Sequence, residues 1–200
     1  MRELIIYLDR TFVGKLIEES SIWGFEYATD WLAHGFNIIP GLAFMAGRQL
    51  DGATTRPVQW FFDNLLPEEN ARTLLEKSAH VEPGDAFALL IAIGHESAGA
   101  FTLLQPGVEL KPGEVYPLTS EEMNERILNL PKLPMNDSGR KKMSLAGAQH
   151  KMLVIFKDGQ LYEPAGQFPS THILKPEHSE PDVYGFTTRN EWFVMSLAKA

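Results

Sequence analysis

The sequence predicts an α+β protein in two parts. A small sheet with helices occupies residues 1–135, and a second, smaller antiparallel sheet with one helix occupies 136–200. Three observations carry this. Short alternating runs open the chain, apolar residues at helical spacing fill its middle, and strand-like runs return near its end.

Composition sets the outer bounds. With 200 residues, 44% hydrophobic and 22% charged, the chain has enough apolar surface for a real core and is not of disordered type. A net charge of −8 argues against broad non-specific nucleic-acid binding. The absence of cysteine excludes disulfides and thiolate chemistry, which suits a reducing, cytoplasmic setting. The N-terminus lacks the apolar core of a signal peptide, and no apolar run approaches the ~20 residues of a membrane span, so no membrane association is expected.

The elements follow in order. "LIIYLDRTFVGKLIEE" predicts two strands around a turn near Asp9-Arg10, and "SIWGFEYATDWL" a third, with Trp23, Phe25 and Tyr27 on one side. In "FFDNLLPEENARTLLEKSA", Pro67 and two glutamates mark a helix start, with Leu74 and Leu75 on its buried face. "EPGDAFALLIAIG" is a second helix, capped by Asp85 and stopped by Gly94. "AFTLL" returns as a strand, and the Pro/Gly-rich "QPGVELKPGEVYPL" reads as a connector. "TSEEMNERILNL" predicts a helix capped by Ser120, with Met123, Ile127 and Leu130 at helical spacing.

After the basic stretch "PKLPMNDSGRKKM" the pattern changes. "MLVIF" is a short buried strand, "KDGQ" a hairpin turn needing positive φ, and "LYEP" the return strand. "THILK" is a third strand ended by Pro176. In "TTRNEWFVMSLAKA", Thr188 and Glu191 form a T-x-x-E capping box, for a helix expected to bury Trp192, Met195 and Leu197.

The small residues ahead of "MLVIF" have two readings. Ala146-Gly147-Ala148-Gln149 is either a plain tight turn or a loop whose bare N–H groups approach a phosphate. Lys175 is either a solvated strand end or the cation that neutralises that phosphate. Glu191 either closes its capping box or holds Lys175, as a helical glutamate holds the strand lysine of protein kinases. The order of loop, hairpin, strand lysine and helical glutamate favours the phosphate reading.

"SLAGAQHK", "PSTHILKPE" and "NEWFVMSLA", in this order, resemble the HipA-like serine/threonine kinases, toxins of bacterial toxin–antitoxin modules. "VGKL", "FFDNLLPE" and "IGHESAGAFTLL" resemble that family's N-terminal subdomain, so the likeness covers nearly the whole chain. The resemblance implies that residues 136–200 are an incomplete protein-kinase-like N-lobe. It implies a nucleotide loop of Ala146, Gly147, Ala148, Gln149, His150 and Lys151, an ATP-contacting Lys175, and autophosphorylation of Ser144. ATP and Mg²⁺ are the implied cofactors and a HipB-like helix-turn-helix antitoxin the implied partner, with DNA reached only through that complex. The implied substrate is an aminoacyl-tRNA synthetase, notably the glutamate enzyme, whose phosphorylation gives growth arrest and persistence.

One departure matters. The family runs to about twice this length, and no H-R-D-like or D-F-G-like segment is found here, so the catalytic and metal-binding aspartates are expected beyond Ala200. The chain is therefore expected to be an N-terminal portion with no kinase activity alone. A non-catalytic module that docks an antitoxin or a separate kinase core is the alternative. The six histidines are dispersed, so no metal site is expected, and "HESAGA" lacks the context of a serine nucleophile.

Overall fold

The computed structural model describes residues 1–96, 100–129, 151–166, 168–178 and 180–199. It is α+β, with two antiparallel sheets and six helices among these residues.

The first sheet is built from β1 (Arg2–Leu8), β2 (Thr11–Glu19), β3 (Ile22–Tyr27), β4 (Gln49–Leu50) and β5 (Phe101–Leu104). Its order is β4-β3-β2-β1-β5. The turn at Asp9 has φ +52°, and the register slips between Ile6 and Tyr7, where β1 meets β2. The expected aromatic face is present: Trp23, Phe25 and Tyr27 are all buried. Their cover is α2 (Pro57–Asp63) and α4 (Ala86–Ile93): Phe62 stacks on Phe25 at 5.7 Å, and Phe87 meets Trp23 edge-on at 5.0 Å. A buried phenylalanine contributes ~1.5–3 kcal/mol over an exposed one, as does each buried leucine or isoleucine packed with it, so the aromatic layer is one part of a large shared core.

Two elements depart from expectation here. The residues "TDWLAH", in part read as continuing β3, form α1 (Thr29–His34), and α2 was not expected. The start of α2 is held from outside: buried Asp51 accepts from the Val58 and Gln59 N–H groups at 2.9 Å each. Such a cap leaves no local signature. The expected helix after Pro67 is α3 (Glu69–Ser78), with Leu75 buried and Leu74 half-buried. Asp85 caps α4 as read, accepting from the Ala88 N–H at 2.9 Å.

The second sheet has the order β6-β8-β7-β9: β6 (Glu114–Pro117), β7 (Met152–Lys157), β8 (Gln160–Ala165) and β9 (His172–Leu174). The Asp158-Gly159 hairpin has positive φ at both residues, 52° and 76°, as the twist-matched two-residue turn requires. β6 corrects the connector reading, because "EVYP" is a strand paired with β8. α5 (Ser120–Asn129) lies against this sheet, its half-buried Met123 packed on Leu118, Met152 and Val154. Its cap is Thr119 rather than Ser120. Thr119 Oγ1 accepts from Glu122 N–H at 3.2 Å, and the Glu122 carboxylate accepts from Thr119 N–H at 2.9 Å.

α6 (Thr187–Lys199) differs most from its reading. Trp192, Met195 and Leu197 are exposed rather than buried, at 72%, 66% and 66%. Periodicity identified the apolar residues, but no described element covers them.

Candidate functional site

β9 ends at Leu174, and Lys175 follows as the chain leaves the sheet. Lys175 Nζ donates to Glu191 Oε1 in α6, so the two residues that the sequence left ambiguous are partners. The capping-box reading of Thr188 and Glu191 is thereby corrected. The start of α6 is held instead by Glu177, whose carboxylate accepts from Thr187 Oγ1 at 2.8 Å and also from the Thr188 hydroxyl. These hydroxyls hold the Glu177 carboxyl below the usual carboxylate range. His178 N–H donates to Thr187 Oγ1 at 3.2 Å and completes the junction. Three consecutive residues of one loop thus have separate tasks: Lys175 carries the charge, Pro176 stops the ladder, and Glu177 fixes the helix bearing Lys175's partner.

Lys151 stands just before β7, a central strand adjacent to β9. Burial, and next the nearby Lys175 ammonium, push the Lys151 ammonium below its ordinary value, while Glu68 and Glu191 oppose the shift. Two ammonium groups therefore share one neighbourhood with two carboxylates. The carboxylates offset the two ammonium groups, and a phosphate is an anion that such a pair of cations can also hold. Glu68 belongs to the first subdomain, at the start of α3, where its side chain makes no cap. Nothing in the sequence pattern marked it.

Lys151, Lys175 and Glu191 are brought together. Ser144, Ala146, Gly147, Ala148, Gln149 and His150 lie outside the described residues. Among the described residues there is no group of three or more His, Asp or Glu able to hold a metal ion, and no helix is long and apolar enough to cross a membrane.

Residues 4–104 match the family model of the HipA N-terminal domain. The chain is 32% identical over 200 residues to the serine/threonine-protein kinase toxin HipA of Shewanella oneidensis, covering 98% of this chain and 44% of that protein. It is 35% identical over 211 residues to the putative kinase Y4mE of Sinorhizobium fredii, 48% of which it covers. Among solved structures it is similar to a chain of the Shewanella oneidensis HipA, HipB and operator DNA complex. The TM-score there is 0.66 at 29% identity, over 88% of this chain and 41% of that one. The chain spans less than half the length of these relatives.

Proposed function

Because the chain belongs to the HipA family, we propose that it supplies the nucleotide-binding part of a serine/threonine protein kinase toxin. The observation that carries this is the Lys175–Glu191 ion pair beside Lys151. The first sheet with its helices is its N-terminal subdomain; the second sheet, which β6 and α5 join ahead of the expected boundary at residue 136, is an incomplete kinase-like N-lobe.

When bound, ATP with Mg²⁺ supplies the phosphoryl group to be transferred. Lys175 would hold the phosphate by charge-assisted hydrogen bonding, with Glu191 orienting its ammonium. Lys151 adds a second positive charge, and by the family resemblance Ala146, Gly147, Ala148, Gln149 and His150 would complete the nucleotide contact. Positioning of this kind is most of what phosphoryl transfer asks of a protein. Ser144 is the autophosphorylation site; its phosphate would add about −1.5 to −2 charges beside the loop and compete for the same cations.

The 200 residues contain no H-R-D-like or D-F-G-like segment to orient a hydroxyl or hold Mg²⁺, so alone they do not transfer phosphate. The protein they belong to acts on an aminoacyl-tRNA synthetase and is held by a HipB-like antitoxin. The HipB-bound structure of the Shewanella relative supports the antitoxin. A docking role without nucleotide is the second reading, favoured by the exposed Trp192, Phe193, Met195 and Leu197 of α6.

Calorimetric titration with MgATP separates the two. The kinase reading expects weak saturable binding that Lys175→Ala abolishes. Equal heats for both proteins, or none, leave the docking role.

A further inference from the structure

The pairing of β7 with β9 sets two lysines against each other. Met152 lies opposite Leu174 at the end of that antiparallel ladder, so the next position outward has Lys151 on one side and Lys175 on the other. Like charges so placed repel, and a carboxylate beside each offsets the repulsion. For Lys175 that carboxylate is Glu191 of α6.

For Lys151 the stronger carboxylate comes from the helices of the first sheet. Burial and then Lys175 push the Lys151 ammonium down, and Glu68 opposes them more than Glu191 does. Glu68 stands at the entry to α3, and that entry leaves its side chain to serve elsewhere. Its backbone is extended, with φ −111° and ψ 166°, and its carboxylate makes no bond to the first turn of the helix. Just before it, buried Leu66 and Pro67 anchor the chain in the first core. Arg72, one turn on, is the ordinary i+4 partner of a glutamate so placed. It is spent instead on Asp63 at 2.8 Å and on Glu76 at 3.4 Å. Glu68 is thus an exposed carboxylate on an anchored backbone, not engaged by its own helix.

We propose that Glu68 is a positioning residue of the phosphate site that acts through Lys151, balancing that ammonium while the site is empty and repelling the phosphate that enters. The first subdomain thereby sets nucleotide affinity and keeps it low. This rests on the nucleotide site proposed for Lys175 and deepens it. Lys151, Lys175, Glu191 and Glu68 are together neutral; without Glu68 one positive charge is left over, and an entering phosphate meets a more positive site.

Glu68→Gln in the 200-residue chain tests this, since it keeps the shape and removes the charge at an exposed position where folding is little affected. Without nucleotide, an NMR titration of the Lys151 side chain should show the ammonium losing its proton at lower pH than in the unaltered chain. Glu68→Asp, which keeps the charge, should restore most of the difference. With MgATP, Glu68→Gln should bind about 3–10-fold more tightly than the unaltered chain, a gain that shrinks as salt rises. A Lys151 titration unmoved by Glu68→Gln would overturn the assignment, and this arm needs no nucleotide, so it is independent of the kinase reading. MgATP bound equally or more weakly by Glu68→Gln would overturn the affinity role. Loss of MgATP binding in every chain would refute the nucleotide site and the affinity role with it.

Discussion

The two sheets satisfy their apolar faces in different ways. The first is closed: α2 and α4 cover it, and Leu4, Phe25, Phe62 and Leu89 are fully buried. Among the described residues the second has a small buried cluster, Leu118, Met152 and Val154, with Ile155 and Ala165 also buried, and α6 is exposed. What the second lacks in apolar burial it replaces with polar ties between elements. Arg126 of α5 pairs with buried Glu163 of β8, Lys175 with Glu191, and Glu177 with the two threonines opening α6. The first sheet thus adds a large apolar core to ties such as Arg2–Glu18 and Arg2–Asp85, whereas in the second directional contacts carry the larger share. Directional contacts between charges are also what a ligand can enter and exchange.

Substitutions can sharpen or break this contrast. Phe62→Ala should cost the first sheet about 3–5 kcal/mol in denaturant unfolding, since a fully buried ring is lost from a stacked pair. A cost below 1 kcal/mol would mean that this core is not closed. Arg126→Ala should cost about 3 kcal/mol through the second sheet, because it strands the Glu163 carboxylate, whose Oε2 already has no partner. Replacing both, Arg126→Met with Glu163→Leu, should recover most of that loss. If the double change is as harmful as the single one, the tie is more than a compensated charge.

A smaller effect belongs to the cap of α4. The Arg2 hydrogen bond is the main reason the Asp85 carboxyl lies below its ordinary value. Its folded value is thus below its unfolded value of ~3.9, so the unfolded chain binds the proton first. The stability it contributes is full above that pH and is lost as pH falls through the folded value. Asp85→Asn, which keeps the cap acceptor, should flatten the acid limb of a stability–pH curve measured by urea unfolding. Asp51 works in the opposite direction, because burial raises its carboxyl, so an unchanged slope in Asp85→Asn would assign the limb elsewhere. Smallest of all, Trp192→Ala should move this chain's stability by less than about 0.5 kcal/mol, given its 72% exposure. A larger loss in thermal unfolding would show that α6 is covered.

Legibility followed the range of the cause. β1 to β3 and the Asp158-Gly159 hairpin are set by alternation and turn chemistry within a few residues, and these were readable. α2 was not, because the carboxylate that starts it is Asp51, several residues upstream on a separate segment. β6 looked like a connector because Pro112 precedes it and Pro117 ends it, but an edge strand tolerates a proline that faces away from its ladder. For α6 the spacing named the apolar residues and could not say what would lie against them. Glu191 suited two tasks, and only the distant Glu177, by taking the cap, freed it for Lys175. The family's motifs pointed to Lys151 and Lys175, whereas Glu68 entered their neighbourhood by folding alone.

The central claim is that Lys175, Glu191 and Lys151 form a phosphate site in the second sheet. Amide exchange with and without MgATP, in the unaltered chain and in Lys175→Ala, tests it most directly. The account predicts slowed exchange over Met152–Ile155 and at Lys175, unchanged β1 to β5, and no response in Lys175→Ala. Slowed exchange confined to the first sheet, or an equal response in Lys175→Ala, would contradict it.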